Sequence, residues 1–338
     1  MKKDKGIEYL RTICIIAVIS IHILYQGFMY YGETLNRKSY TIWNGIMNSI
    51  WWAVPCFVMI TGVLLLNPNR VITIKKLYKK YILRMVVVLL LFGVGYAWME
   101  EVFNERTINV SQIFKAFLYV LEGKSWAHLW YIYGLLGLYL LIPIYKVISE
   151  KMSDKEIVYI IAVLTICEVI VPMLEVTGLK LKLYCHFSGT LPLYFILGIA
   201  VNRNIIKLST IKARCLFGIS TILLFGLSIV EKMYDYNWEN LFGYSSLFVM
   251  IQAVSLMYLI SNMHINNKIV DNIIMEIADK SFGIYLIHMF FINIVYKVLK
   301  INPFENIVIV AIVLCIVLVC SYIITYILRF IPGFRKVL

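Results

Sequence analysis

Two ionisable side chains interrupt the first apolar run of this sequence, Arg11 and His22 in Tyr9-Leu-Arg-Thr-Ile-Cys-Ile-Ile-Ala-Val-Ile-Ser-Ile-His-Ile-Leu24. An imidazole inside a protein can stay neutral near physiological pH and take a proton from an attacking hydroxyl. A guanidinium keeps its charge when partly buried and grips phosphate or carboxylate with paired bonds. Eleven helical steps of about 100° are three turns plus about 20°, so both side chains share one face and lie about 16 Å apart along the axis. Arg11 then falls near one membrane surface and His22 at or beyond mid-depth. A cation at the rim and a base inside suit a long anionic molecule. Taken singly, a snorkelling arginine or a histidine bonded to a neighbouring helix would leave the same trace; the shared face makes the pair informative.

Further polar residues stand within apolar sequence, where they are costly and mark function. His128 opens the segment Ala127-His-Leu-Trp-Tyr-Ile-Tyr-Gly, with Trp130 and Tyr131 beside it. Aromatic faces and one polar edge suit a sugar or another hydroxyl acceptor, although such aromatics also fit an interfacial belt. Arg84 lies beside Lys75, Lys76, Lys79 and Lys80, a cation group that could hold a cytosolic polyphosphate and that positive-inside bias explains equally well. In Ser281-Phe-Gly-Ile-Tyr-Leu-Ile-His288, the histidine would lie about 12 Å into the membrane if its helix starts near residue 280. Glu168 is an intramembrane acid, either a partner for a histidine or arginine or a protonated structural group. His186 precedes a short apolar stretch, and His264 reads as a solvated loop histidine.

These residues need a scaffold of membrane helices. The chain has 338 residues, 61% of them hydrophobic and 15% charged, with mean hydropathy +0.82, which excludes an ordinary soluble domain. Ten apolar stretches can be marked, near 7–30, 41–66, 78–99, 127–148, 156–177, 188–202, 213–231, 241–262, 280–299 and 305–330. The expected fold is therefore an all-α polytopic membrane protein of about ten transmembrane helices, or nine if the short sixth stretch does not cross. Most of the 32 Lys and Arg residues fall on one side of this arrangement, so both termini are expected to be cytoplasmic. No Pro/Gly/Ser-rich linker divides the chain, and a single domain over 1–338 with no fused soluble domain is expected. The net charge of +13 is distributed over loops, which argues against a nucleic-acid face. The seven cysteines include no C-x-x-C pair and read as buried small hydrophobes. No phosphate loop, zinc-ligand spacing or nucleophile elbow occurs, and no metal is expected.

Three pieces, taken together, resemble the acyltransferase family 3 membrane proteins: Arg11-x10-His22 in the first span, His128-Leu-Trp-Tyr131 in the fourth, and Ser281-Phe-Gly-Ile-Tyr-Leu-Ile-His288 near the end. The likeness covers nearly the whole chain. It implies transfer of an acyl group from a cytosolic acyl-coenzyme A, most often acetyl-CoA, to an acceptor at the external side. His22 would be the essential histidine, a general base or a transient acyl carrier, and Arg11 its paired cation. Arg84, Lys80 and His288 would serve the donor; His128, Trp130, Tyr131 and Glu168 would serve the acceptor. Family members often carry R-x-x-R at the start of the third span, where Tyr81 here replaces the first arginine. The expected function is membrane O-acylation of a cell-envelope glycan or lipid-linked precursor at the plasma (inner) membrane, with direct transfer or a hand-over to a separate envelope acyltransferase. A competing class is a transporter or flippase for a glycan or small metabolite, with Arg11, His22 and Glu168 as its polar path.

Overall fold

The structure is a computed structural model that describes residues 5–179, 181, 189–261 and 263–338. Among these residues every regular element is helical. Short polar side chains punctuate the apolar sequence and start the helices. Asn36 caps α2 (Arg37–Asn48), Thr73 caps α4 (Ile74–Glu105) and Ser209 caps α10 (Thr210–Met233), each by accepting a backbone N–H three residues on. Ser153 and Glu156 form a reciprocal capping box at the start of α8 (Asp154–Thr177). Asn267 caps α12 (Lys268–Val298).

Seven described helices are long and apolar enough to cross a membrane: Lys5–Thr34, Arg37–Leu66, Ile74–Glu105, Asp154–Thr177, Thr210–Met233, Lys268–Val298 and Ile307–Leu328. The pair Ala127–Leu140 and Ile142–Lys151, bent by 59°, makes an eighth if it forms one span. The polytopic helical class is as the sequence indicates, but about ten spans is more than the structure supports. The expected sixth and eighth stretches fold as short helices, α9 (Leu191–Asn202) and α11 (Leu247–Ser261). At about 1.5 Å per residue, 12 and 15 residues reach about 18 and 22 Å, short of a hydrocarbon core of about 30 Å. Every residue of α9 from Pro192 to Val201 is buried. A helix apolar on all sides can be a core helix as well as a span, and composition does not separate the two.

Contacts divide the chain into two compact units. The first comprises Met1–Asn67 and Lys151–Thr325. It holds α1 (Lys5–Tyr31), α2, α3 (Ala53–Leu66), α8 to α12 and most of α13 (Ile307–Leu328). Its tightest seam joins α3 and α9 through reciprocal glycines: a Cβ on Gly62 would strike the Phe195 carbonyl oxygen, and one on Gly198 the Met59 carbonyl oxygen. Small residues let membrane helices approach backbone to backbone. Buried amides supply further links in this unit, Asn44 and Asn48 each donating to Ser228 Oγ at 2.9 Å.

The second unit comprises Pro68–Glu150 and Tyr326–Leu338. It contains α4, α5 (Val110–Leu121), α6 (Trp130–Leu140), α7 (Ile142–Lys151) and α14 (Pro332–Val337). Two π-helical segments, Leu77–Ile82 and Leu89–Gly93, interrupt α4. α5 folds beside α4, burying Gln112, Ala116 and Val120 and exposing Ile113, Phe114, Phe117, Leu118 and Leu121. This helix is amphipathic, with its exposed face apolar.

Candidate active site

The site begins with α1 and α12, which run parallel and are joined along their length by polar side chains. Lys5 pairs with Asp271 at 2.7 Å, and Tyr9 donates to the same carboxylate at 2.6 Å. Thr12 donates to the Ile274 carbonyl at 2.7 Å, and Tyr296 to the Ile23 carbonyl at 2.7 Å. Between these ties, His22 Nδ1 lies 2.9 Å from His288 Nε2. The two imidazole centroids are 4.9 Å apart and the rings are inclined by 43°. His288 Nδ1 lies 2.6 Å from the Tyr285 carbonyl oxygen one turn back. His288 is fully buried, whereas His22 is only half-buried. Two histidines separated by 266 residues in the chain thus form one hydrogen-bonded pair.

Arg11 stands on the same helix three turns before His22. Its Nη1 meets both Glu8 oxygens, at 3.2 and 3.4 Å. The Arg11 side chain is 28% exposed and that of Glu8 only 7%. Arg11 is thus paired with a buried carboxylate one turn back on its own helix. Glu8 was not among the expected site residues, although its i, i+3 spacing from Arg11 was visible in the sequence. Glu168 is buried in the π-helical segment Ile166–Ile170 of α8, a geometry that often accompanies function. His186 lies outside the described residues, and His264 is exposed, as expected of a loop histidine.

His128 sits in the second unit, in a 3-10 turn (Ala127–Leu129) that leads into α6. It is buried, with the Tyr96 and Trp126 rings at 6.0 and 6.2 Å. Those two rings stack in parallel, 4.2 Å apart and 3° from coplanar. Ser125 donates to the Gly93 carbonyl at 2.8 Å and holds the turn against α4. Trp130 is 40% exposed, and Tyr131 is buried beside it. Of the expected aromatic group, the structure adds Tyr96 and Trp126, which come from sequence on either side of α5.

Arg84 also lies in the second unit. Its Nε donates to the Val337 carbonyl at 2.7 Å and its Nη2 to the Leu338 oxygen at 3.1 Å. Lys75, Lys76, Lys79 and Lys80 are exposed on the same stretch of α4. Arg70 donates to the Tyr81 hydroxyl at 2.7 Å, so the residue in place of the expected arginine is itself held by one.

A family model described as an acyltransferase domain matches residues 4–326. The chain belongs to this acyltransferase family. It is a multi-pass membrane acyltransferase, and the two histidines of the α1/α12 pair both lie inside the matched region. No curated protein and no solved structure matches it.

Proposed function

We propose that this acyltransferase is an O-acyltransferase that uses His22 to pass an acyl group from an acyl-coenzyme A, acetyl-CoA first among them, to a hydroxyl of a cell-envelope glycan or lipid-linked precursor at the plasma membrane. The observation that carries the reading is the hydrogen-bonded contact between half-buried His22 and buried His288, with Arg11 on the His22 helix. In one route His22 removes the acceptor hydroxyl proton as the oxygen attacks the thioester carbonyl carbon. The carbon–sulfur bond then breaks, and the imidazolium returns the proton to the leaving thiolate. In the other, a His22 nitrogen attacks the thioester carbonyl carbon, the carbon–sulfur bond breaks and coenzyme A leaves as its thiolate; the acceptor oxygen then attacks the acyl carbon, the carbon–nitrogen bond breaks, and the hydroxyl proton passes through the freed nitrogen to the thiolate.

Arg11 is suited to an anionic part of the donor, such as a phosphate. Arg84 and the exposed lysines near it, Lys80 included, are a second candidate for donor phosphates. An anion reaching Arg84 would have to displace or join the Val337 and Leu338 oxygens. His128, Trp130, Tyr131 and the stacked Tyr96 and Trp126 are suited to the acceptor, because sugar rings lie well on aromatic faces. Glu168 remains our candidate for a polar group on the acceptor side.

The test is a thiol-release assay on the purified protein with acetyl-CoA and envelope glycan. Wild type should release free coenzyme A and label the glycan, and His22→Ala should do neither while reaching the membrane at the wild-type level. Transport of glycan without thioester consumption, or undiminished transfer by His22→Ala, would overturn the assignment.

A further inference from the structure

The chain of contacts through His288 bears on which nitrogen of His22 carries its proton. A carbonyl oxygen has no proton to give, so the His288 Nδ1 that lies 2.6 Å from the Tyr285 oxygen must carry one. A neutral imidazole has a single N–H, which leaves His288 Nε2 with a lone pair. At 2.9 Å from His22 Nδ1, the lone pair accepts a hydrogen bond, and His22 must supply the proton. His22 then carries its hydrogen on Nδ1 and its lone pair on Nε2.

We propose that His288, anchored by the Tyr285 carbonyl, is a positioning residue that holds His22 in the Nδ1–H tautomer and presents Nε2 as the reacting atom. This rests on the reading of His22 given above and holds for both routes, since a base and an acyl carrier each need the lone pair. Exposure divides the roles in the same way: the buried ring supports and the half-buried ring meets substrate. When Nε2 takes a proton, the Nδ1–H of the resulting imidazolium makes a charge-assisted and therefore stronger bond to His288. The support thus tightens as the reaction proceeds. A third group that orients a catalytic imidazole through its other nitrogen acts by the same logic in hydrolase triads.

Nitrogen-15 spectra of histidine-labelled protein in lipid report the proton's position without any turnover. The His22 signals are assigned by their loss in His22→Ala. Wild type should show His22 with a protonated Nδ1 and a bare Nε2. His288→Leu removes this acceptor and leaves the His22 ring its bond to the Val18 backbone one turn back, so the Nδ1–H share should fall and an Nε2–H form appear. His288→Gln should restore the wild-type pattern, because its amide oxygen can occupy the place of Nε2. An Nε2–H signal in wild type, or a spectrum unmoved by His288→Leu, overturns the proposal.

In the assay with acetyl-CoA, His288→Leu should lower kcat about 100- to 1000-fold with the donor KM within about threefold, and His288→Gln should recover to within about tenfold of wild type. Wild-type kcat in His288→Leu would also overturn it. If wild type consumes no thioester at all, the functional reading fails while the spectra still decide the tautomer.

Discussion

His288 and His128 are equally hidden from solvent, yet their surroundings differ in kind. His288 is placed by polar atoms at 2.6 and 2.9 Å, one of them on a second histidine. His128 has the flat rings of Tyr96 and Trp126 beside it, their centroids 6.0 and 6.2 Å from its own. Short polar contacts fix where protons reside, whereas aromatic walls fix shape. The first environment suits a ring that must hold a proton in place for a reacting neighbour, and the second suits a group that must recognise a surface.

The contrast makes graded predictions. The largest effect should come from His22→Ala, with kcat down at least 1000-fold and acceptor binding, measured separately with a labelled glycan, nearly unchanged. Arg11→Gln should cost about 10- to 100-fold in kcat/KM, mostly as a raised donor KM, because a charge-assisted contact is worth about 1.5–3 kcal/mol. A change confined to acceptor KM would move Arg11 to the recognition side of the comparison. His128→Ala should raise acceptor KM by about 10-fold while leaving thioester hydrolysis without acceptor unaffected. If its kcat falls as far as that of His22→Ala, the distinction between the two histidines collapses. Tyr296→Phe removes the bond to the Ile23 carbonyl and should cost about 1 kcal/mol of stability, read as a small drop in thermal midpoint with activity kept within a few-fold.

The sequence showed that family and that helical class because both are carried by local features, namely hydropathy, caps and three short motifs. It isolated His22 and His288 as separate polar intrusions. It could not show that they touch, because only the parallel register of α1 and α12 brings residues 266 positions apart into contact. The Glu8 partner of Arg11 was within reach, since helical spacing alone puts it on the same face. Two apolar stretches read as spans form helices of 12 and 15 residues among the described residues, and composition alone does not separate a core helix from a membrane helix. The engagement of Arg84 was hidden for another reason: its partners are main-chain oxygens of Val337 and Leu338, which no side-chain pattern encodes.

The glycine seam between α3 and α9 bears on how the enzyme can move. Each helix has a carbonyl oxygen where the other would place its first side-chain carbon, at Gly62 and at Gly198. A slide that brought the next residue on the same face, three or four positions away, to either place would set its side chain against the facing carbonyl oxygen. Within this unit the two backbones therefore hold together as one block, in which sliding of α3 along α9 is disfavoured.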